Sequence, residues 1–336
     1  MRSQGLSRRV GWLAIPEKSA TLRPSWIICL YKMKAMRVNN STPGPALAGS
    51  ELPRPQPGEG ELLISVRAAG VTPTELGWYP TNHTKEGAPR NGAVPGHEFS
   101  GVVAALGRNA NGFEVGQEIY GLNDWFADGA TAEVCLTTPQ SIAGKPATLT
   151  HEAAATVPIG ALTAWQGLLE RAKIKPGERV LIHGASGAVG IFAVQLAHRH
   201  GAYVIGTASS ANLEFVGKLG ADEVIDYRSA RFEDRTEKVD VVFDGVGGET
   251  LARSWSMLKP GGRMVTIVDE ASKDAFFIVE PNQKQLVEVA KLLDAGELKT
   301  YVGAVVPLAE ASNAYSGSVP NKRENGKVVI VINGQT

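Results

Sequence analysis

The second half of the chain carries the most regular pattern of hydrophobic and polar positions. The apolar run at residues 180–182 has the length of a buried β-strand, and a glycine-rich turn follows it at residues 183–190. After the turn, apolar side chains recur at the spacing of one helical face. They are Val189, Phe192, Ala193, Leu196 and Ala197. The pattern predicts a strand, a tight turn and a helix that ends at Gly201.

Further apolar runs follow, and stretches at helical spacing separate them. We predict strands at residues 202–205, 223–227, 239–244 and 264–268. The first strand, the helix and the second strand together occupy about 30 residues, which is the size of the unit used by dinucleotide-binding folds. Because strands and helices alternate, we predict an α/β domain with a doubly wound parallel sheet.

The glycine-rich turn is a candidate site for the pyrophosphate of a nucleotide cofactor. Glycines let the backbone approach a phosphate, and the N-terminus of the following helix attracts its charge. The glycines stand at every third position, which departs from the G-x-G-x-x-G spacing. A flexible loop is the alternative, and the flanking strands and helix argue against it. The candidate residues are Gly184, Ser186, Gly187, Ala188, Val189 and Gly190.

The end of the second predicted strand bears on the choice between NADH and NADPH. An acidic side chain there binds the ribose 2′-hydroxyl of NADH and repels the 2′-phosphate of NADPH. Residues 206–213 contain no acid, and they offer the hydroxyl groups of Thr207, Ser209 and Ser210. The sequence therefore favours NADPH. The two serines also suit a polar turn and helix N-cap, and the two roles are compatible.

Short motifs extend this interpretation over residues 36–336. They are GHEFSGVV at 96–103, LTAW at 162–165, the turn at 184–190, VIDY at 224–227 and GKVV at 326–329. With them, the chain resembles the zinc-free quinone-oxidoreductase branch of the medium-chain dehydrogenase/reductase superfamily. The resemblance implies a GroES-like, β-rich catalytic domain at residues 36–157, completed by residues 300–336. It also implies a Rossmann domain at residues 158–299, with NADPH in the cleft.

The resemblance implies roles for particular residues as well. Tyr227 matches a tyrosine that contacts the 2′-phosphate, and Thr163 matches a threonine beside the nicotinamide ring. Three further positions match residues that line the cofactor, and they are Gly245, Val268 and, near the nicotinamide end, Phe277. Related reductases often place a Lys or Arg after the second strand, and residues 210–213 contain neither. The candidate cation is then Lys322 or Arg323.

The cysteine count bears on whether the site holds zinc. Zinc members of the superfamily use cysteine and histidine ligands, and this chain has only Cys29 and Cys135. Thr72 stands where those members have the first catalytic cysteine, and residues 157–160, at the third ligand, offer none. A catalytic zinc needs three protein ligands. We therefore expect no metal, because the ligand types that remain at the matching positions are only His97 and Glu98.

Without a Lewis acid, the electron acceptor has to stabilise the incoming hydride charge itself. The protein then supplies orientation and a water-poor pocket. Quinones and α,β-unsaturated carbonyls delocalise this charge, whereas simple ketones need polarisation. We expect the pocket to be lined by Thr72, Tyr79, Trp125 and Phe126. Tyr79 is a candidate proton donor, and packing is its alternative role, so no catalytic residue is assigned.

Two other functions fit the same motifs. One is a zinc alcohol dehydrogenase that recruits a ligand from an unrecognised position. The other is a non-catalytic NADPH-binding protein with a redox-sensing or structural role. Intact cofactor motifs beside an ordinary cleft favour an oxidoreductase that turns over.

Composition excludes several kinds of partner. The 336 residues are enough for two domains, and the 34 basic and 34 acidic residues leave a formal net charge of zero. Nothing therefore favours a nucleic acid or a membrane surface as a partner. No apolar run approaches the roughly 20 residues of a transmembrane helix. We expect a cytoplasmic protein whose partner is a small electrophile.

Residues 1–35 precede the motifs and differ from them in composition. They are rich in arginine and lysine and contain a single acid, Glu17. Such a leader is typical of a mitochondrial transit peptide. The alternative is an upstream start codon, with Met33 or Met36 as the true start, and we favour it because the leader lacks a clear amphipathic stripe. We therefore expect a disordered leader or a misassigned start at residues 1–35.

The apolar run at residues 275–279 suggests how the protein assembles. It follows the last predicted strand of the parallel sheet, and we predict it to be a further strand at the edge of that sheet. An exposed edge strand invites pairing with its own copy across a two-fold axis. The resemblance also points to a homodimer.

Overall fold

The computed structural model describes residues 32–39, 46–320, 322 and 325–332, which form three β-sheets. The strands are β1 (Lys32–Asn39), β2 (Ala46–Pro53), β3 (Leu62–Gly70), β4 (Glu98–Leu106), β5 (Glu118–Leu122), β6 (Val134–Thr137), β7 (Ile142–Gly144), β8 (Arg179–His183), β9 (Tyr203–Ala208), β10 (Glu223–Asp226), β11 (Val239–Asp244), β12 (Leu258–Thr266), β13 (Val302–Pro307) and β14 (Lys327–Val331).

Short α-helices connect the strands, with single 3₁₀ turns between them. The helices are α1 (Tyr79–Asn82), α2 (His151–Ala154), α3 (Pro158–Trp165), α4 (Gly190–Arg199), α5 (Leu213–Lys218), α6 (Gly248–Ser254), α7 (Gln283–Asp294) and α8 (Ala311–Ser316). A π-helical turn, Gln166–Arg171, continues α3. The 3₁₀ turns are Pro73–Gly77, Pro139–Ser141, Ser210–Asn212, Phe232–Asp234, Trp255–Met257 and Leu308–Glu310.

A five-stranded parallel sheet forms the centre of the second half of the chain. Its strand order is β10-β9-β8-β11-β12, and every neighbouring pair is parallel. The strands are apolar on both faces because helices cover both sides, and Val180, Leu181 and Ile182 are fully buried. The predicted doubly wound α/β fold is confirmed. Strand β12 starts earlier than predicted, since Gly261 and Gly262 lie within it beside an irregularity in its pairing with β11.

Helix α4 lies against this sheet as its apolar stripe predicted. Four of the five stripe residues are buried, and Val189 is half-buried just before the helix. Gly201 follows with a φ of 80°, a conformation that glycine adopts without strain. Helix α3 packs against the start of α4 at Gly160, where a Cβ would lie 2.4 Å from the Ala188 carbonyl oxygen. This glycine brings the two helices close together behind the glycine-rich turn.

The second large sheet combines the two ends of the described chain. Its order is β13-β14-β3-β4-β5-β7, and β6 also pairs with β3. Strand β14 runs antiparallel to β3, so that Val329 lies opposite Gly70. The C-terminal segment therefore completes a sheet that starts more than two hundred residues earlier, as expected for a GroES-like domain interrupted by a Rossmann domain.

Residues 32–35 belong to a strand, contrary to the expected boundary. Strand β1 begins at Lys32 and pairs with β2 along its whole length. The expected boundary after residue 35 is therefore wrong for residues 32–35, because Met33 and Ala35 alternate with exposed lysines and are buried. Residues 1–31, including Cys29, lie outside the described residues.

Residues 275–279 do not form the predicted edge strand. Thr266 and Phe276 make one isolated parallel bridge, with Thr266 N donating to Ala275 O at 3.0 Å and Phe277 N donating to Thr266 O at 3.2 Å. Both bonds involve the last residue of β12, so the pairing stops there. Ile278 is exposed, while Phe277 is buried in the core. No helix in the described part of the chain is long and apolar enough to cross a membrane.

Candidate active site in the interdomain cleft

The carboxyl ends of the parallel strands meet along one line. The register places His183 of β8 beside Thr207 of β9 on one side and beside Asp244 of β11 on the other. Asp244 in turn lies opposite Thr266 of β12. In open α/β sheets, ligands bind outside this edge. The loops that leave these strands therefore form the candidate cofactor site.

The glycine-rich turn folds back tightly on itself at this edge. Gly184 has a φ of 73°, which favours glycine, and Gly187 N donates to Gly184 O at 2.9 Å. A Cβ on Gly190 would lie 2.1 Å from the Gly184 carbonyl oxygen, so only glycine fits at the first position of α4. Gly187 and Ala188 are exposed at the tip of the turn. This backbone can approach a pyrophosphate closely.

Two loops on the far side of the turn come close to it. A Cβ on Gly184 would lie 3.4 Å from a Val246 methyl group and 3.8 Å from the Gly245 carbonyl oxygen. Gly247 likewise contacts Val268, which is half-exposed. The structure therefore brings together Gly184, Gly245 and Val268, which lie far apart in sequence.

The carboxylate of Asp244 holds the loop at residues 245–247 in place. It accepts hydrogen bonds from the backbone N–H groups of Val246 and Gly247, each at 3.1 Å. It also accepts one from Thr266 Oγ1 at 2.8 Å. Asp244 is fully buried, so these donors are what stabilises its charge. The sequence pattern identifies Asp244 only as the last residue of a strand and gives no sign of these contacts.

A neutral histidine ends β8, directly before the glycine-rich turn. His183 is buried between Thr207 Oγ1, 3.1 Å from Nδ1, and Ser254 Oγ, 2.9 Å from Nε2. Ser254 Oγ already donates to Thr250 O, so Nε2 donates to Ser254 and Nδ1 accepts from Thr207. Burial lowers the pKa of His183 to about 4. The hydroxyl of Thr207 is thus engaged by His183 inside the protein, and the contact of Thr207 with the cofactor stays a prediction.

Asn212 links the turn to the end of β9. Its Nδ2 donates to Ser186 Oγ at 3.3 Å and to Ser209 Oγ at 3.2 Å. Its Oδ1 is buried without a partner among the described residues. A ribose hydroxyl or another polar ligand group would satisfy such an atom. The glycine cradle and this unpartnered oxygen both fit a dinucleotide cofactor, and Asn212 was missed because the sequence gave no sign of its long-range contact with Ser186.

The remaining cofactor candidates differ in accessibility. Tyr227 is 55% exposed at the end of β10, and its backbone N donates to Ala208 O at 3.2 Å. Thr163 is buried, and its hydroxyl donates to Ile159 O at 2.6 Å. The Phe277 ring lies in the core with the Arg171 guanidinium 4.6 Å from its centre, and the match of this position to the nicotinamide end stays a prediction. Lys322 is exposed, and Arg323 lies outside the described residues.

A buried ion pair occupies the catalytic side of the cleft. Glu98 of β4 is fully buried and accepts a hydrogen bond from Lys327 at the start of β14. It also accepts from Ile159 N, at the start of α3, at 3.1 Å and from Thr72 Oγ1 at 3.4 Å. The carboxylate is thereby engaged by three separate segments. Lys327 lies in the GKVV motif, and only its position at the start of a buried strand could have revealed its role.

His97 beside Glu98 is held as a neutral ring. Its Nδ1 lies 2.8 Å from Asn123 Oδ1, and Asn123 Nδ2 donates to Asp128 O at 3.1 Å. Because the Asn123 oxygen is an acceptor, Nδ1 of His97 donates to it. Burial lowers the pKa of His97 to about 4. The histidine therefore adds no positive charge to the cleft at neutral pH.

Aromatic rings surround His97. Trp78 stacks on it with ring centres 6.5 Å apart, and Trp125 meets it edge-on at 5.4 Å. Tyr79 instead stacks on His83 at 4.2 Å and is 56% exposed, and Phe126 lies 5.8 Å from Lys85 Nζ. The structure brings Trp125 to the His97 cluster, whereas its contacts place Tyr79 and Phe126 in other groups. Trp78 was missed because its apolar neighbours in sequence do not mark it as special.

These side chains do not fit a catalytic zinc ion. A catalytic zinc needs three protein ligands, and the positions at hand offer the hydroxyl of Thr72, the neutral His97 and a carboxylate already bonded to Lys327. Cys135 lies elsewhere, in β6, where burial raises the pKa of its thiol far above the usual range. Across the described residues, no three His, Cys, Asp or Glu side chains lie close enough together to hold a metal.

Glu75 is a second buried carboxyl group beside the cleft. It accepts hydrogen bonds from Tyr315 Oη at 2.5 Å and from Gly96 N at 3.1 Å. Desolvation raises its pKa from 4.5 to about 7. The contact ties the turn that follows Thr72 to helix α8 in the C-terminal segment.

A serine, a histidine and a glutamate also line up on the outer face of the catalytic domain. Ser100 Oγ lies 2.8 Å from His151 Nδ1, and His151 Nε2 lies 3.2 Å from Glu118 Oε1. Ser100 is fully buried, however, and its hydroxyl donates to Ile119 O. A nucleophile has to be accessible and to pass its proton to the histidine. The group is therefore structural.

Comparison with known proteins agrees with this architecture. A family model described as an alcohol dehydrogenase GroES-like domain matches residues 58–163, and one described as a zinc-binding dehydrogenase matches residues 219–330. The chain is 33% identical over 324 residues to the "Probable zinc-binding oxidoreductase, mitochondrial" of Arthroderma benhamiae, covering 88% of this chain and 96% of that protein.

Two further similarities concern the branch of this family. The chain is 33% identical over 284 residues to the "2-methylene-furan-3-one reductase" of Solanum lycopersicum, covering 81% of this chain and 72% of that protein. The solved structure of the quinone oxidoreductase from Coxiella burnetii superposes with a TM-score of 0.81 at 29% identity. That match covers 89% of this chain and 99% of the Coxiella chain.

The raised pKa of Glu75 predicts how stability changes with pH. The protonated carboxyl group stabilises the fold fully below the unfolded pKa of 4.5, and this contribution is lost as the pH rises through about 7. In Glu75→Gln the side chain stays neutral. From about pH 5 to about pH 8, wild type should lose on the order of 3 kcal/mol of unfolding free energy relative to this variant.

Chemical denaturation at a series of pH values measures this difference. Glu237→Gln, at an exposed glutamate, is the control and should follow wild type at every pH. A constant difference between wild type and Glu75→Gln would show that Glu75 does not titrate in this range.

Proposed function

The chain belongs to the quinone-oxidoreductase-like branch of the medium-chain dehydrogenase/reductase superfamily, and we propose that it transfers hydride from NADPH to a quinone or an α,β-unsaturated carbonyl compound without zinc. The observation that carries this proposal is the engagement of Glu98 by Lys327, Ile159 N and Thr72. Because both oxygens of Glu98 already accept hydrogen bonds, this carboxylate is not free to act as a metal ligand. The acceptor then has to carry the developing negative charge on its own atoms.

The described residues would hold the cofactor across the two sides of the cleft. The backbone of Gly184, Gly187 and Gly190 would receive the pyrophosphate, and Asn212 would face the ribose beside it. The nicotinamide, when bound, supplies the hydride. The protein's share is orientation and exclusion of water, which contribute strongly when reactants are held close together.

The His97 cluster supports a flat, weakly polar acceptor. Trp78 and Trp125 present aromatic surface around a histidine that is neutral at physiological pH. Such a wall suits planar conjugated rings and enones, because aromatic faces stack on them. We assign no proton donor, since Tyr79 stacks on His83 instead of facing this cluster. The names of the tomato and Coxiella relatives agree with this acceptor class.

NADPH oxidation with a panel of acceptors tests the proposal. We expect turnover with quinones and alkenals, and a kcat/KM for simple ketones lower by about two powers of ten or more, because the site provides no Lewis acid. Prior treatment with a chelator should leave the rates unchanged. One zinc ion per chain, with activity lost to the chelator, would favour a zinc alcohol dehydrogenase. No turnover with any acceptor would favour a non-catalytic NADPH-binding protein.

We further propose that the cofactor is NADPH in preference to NADH. Residues 206–213 contain no acid, and Ser209, Ser210 and Tyr227 surround the end of β9 with hydroxyl groups. Hydrogen bonds to a charged group contribute about 1.5–3 kcal/mol each when well formed. One such bond corresponds to a preference of roughly one to two powers of ten in kcat/KM.

Ser209→Asp should reverse this preference. A carboxylate at this position repels the 2′-phosphate and can accept a hydrogen bond from the 2′-hydroxyl of NADH. Steady-state kinetics with both cofactors measure the ratio, and the maximal rate should hardly change. Ser318→Asp, at an exposed serine outside the parallel sheet, is the control. An unchanged ratio in Ser209→Asp would move the phosphate away from β9.

Assembly and location complete the proposal. We propose a homodimer that pairs along the edge formed by β12 and the segment around exposed Ile278, and sedimentation as a monomer at micromolar concentration would count against it.

We propose a cytoplasmic location, with mitochondria as the alternative if residues 1–35 include a transit peptide. The Arthroderma relative is named as mitochondrial. Imaging of the full chain with a C-terminal tag would distinguish the two locations.

A further inference from the structure

The ends of β9 and β10 lie side by side at the cofactor edge of the parallel sheet. Asp226 is in register with Ala208, and Tyr227 N donates to Ala208 O, which extends the pairing by one residue. Tyr227 therefore lies beside Ser209, and Arg228 follows directly where the chain leaves the sheet. Dinucleotide folds place the adenosine ribose at this edge, and an arginine nearby accommodates a 2′-phosphate where one is present.

Arg228 presents a positive charge at this point. Its guanidinium carbon lies 5.7 Å from the centre of the Tyr227 ring, within the range of a cation–π contact. Both side chains are exposed at the rim of the site. In the described part of the chain, Arg228 makes no ion pair within 4 Å, whereas neighbouring Arg231 and Arg253 both pair with Glu233. The Arg228 charge is thus available to an anion.

The backbone around Arg228 is held in a defined turn. Arg228 N donates to Asp226 Oδ1 at 3.0 Å, and the backbone N–H groups of Ser229 and Ala230 donate to Asp226 O at 3.2 and 3.1 Å. The Asp226 carboxylate therefore bonds to the main chain of Arg228 and not to its guanidinium. A fixed backbone limits the orientations of the side chain, which lowers the entropic cost of binding an anion.

The polar groups at the end of β9 suit a phosphate, and residues 206–213 include no acid. Ser209 contacts Asn212, whose amide also reaches Ser186 in the glycine-rich turn. Serine hydroxyls both donate and accept, so in the turned amide Asn212 Oδ1 accepts from both serines and its two N–H groups replace the oxygen as the groups without a partner. In that orientation Asn212 has a donor available for a phosphate. The nearest acid in sequence, Glu214, is directed to Lys218.

We infer that Arg228 is the cation that selects a 2′-phosphorylated cofactor, acting with the hydroxyl groups at the end of β9; this rests on the proposed preference for NADPH. It replaces Lys322 and Arg323 as the source of the charge. Arginine can engage a phosphate through two parallel hydrogen bonds, which makes the preference steeper than hydroxyl groups alone would.

Calorimetric titration with NADP⁺ and NAD⁺, without any acceptor, tests this role independently of turnover. Arg228→Gln should weaken NADP⁺ binding by about 10- to 100-fold, the size of one hydrogen bond between charged groups, and change NAD⁺ binding by less than about twofold. Arg228→Lys should keep part of the preference, because it retains the charge but not the bidentate geometry. Arg231→Gln, at an arginine paired with Glu233, is the control and should match wild type.

The outcomes separate this inference from the proposal on which it rests. If wild type binds NADP⁺ and NAD⁺ equally well, the preference for NADPH is itself absent. If wild type prefers NADP⁺ and Arg228→Gln keeps the same ratio, Arg228 is not the selecting cation. Equal weakening of both cofactors in Arg228→Gln would show that Arg228 only supports the Tyr227 ring, and it would also overturn the inference.

Discussion

The cleft depends on the buried ion pair between Glu98 and Lys327. Glu98 is fully buried, so its charge needs a partner, and breaking such a pair by removing one member costs about 3–5 kcal/mol. The pair joins β4 to β14, which comes from the other end of the chain, and the bond from Ile159 N adds the start of α3. Gly70 is required beside it, because a Cβ there would lie 2.8 Å from the Glu98 side chain. One carboxylate thus fixes the catalytic domain, its C-terminal completion and the helix that leads to the cofactor domain.

On the cofactor side of the cleft, two buried polar side chains also hold separate segments together. Asp244 and His183 lie side by side at the ends of β11 and β8. Both are buried, and hydrogen bonds to Thr266 and Ser254 respectively hold their side chains. Because His183 is neutral and Asp244 is bonded to backbone N–H groups, both hold loops without adding a free charge. The loops are therefore fixed by hydrogen bonds where a cofactor has to be positioned, and a charge without an ion-pair partner among the described residues, that of Arg228, lies at the exposed rim.

The sequence was informative wherever the signal was local. The apolar run before residue 183 and the helical stripe after residue 190 predict the strand, turn and helix of the glycine cradle, since period and turn chemistry act over a few residues. The pairing of Glu98 with Lys327 spans 229 positions, and no local pattern encodes it. Asn212 and Trp78 were missed for the same reason. The buried ring of Phe277 could not be foreseen either, because its contact with Arg171 joins segments about a hundred residues apart.

The electrostatic state of the cleft connects these observations to its chemistry. His97 is neutral, Glu98 is compensated by Lys327, and Glu75 is protonated over part of the physiological range. A site of this kind offers little to an isolated alkoxide, which needs a concentrated positive charge beside its oxygen. An acceptor that spreads the charge over a ring or a conjugated carbonyl makes no such demand. The same lack of free charge lowers the cost of moving a flat, weakly polar molecule out of water and into the pocket, because no unpaired ion has to be desolvated with it.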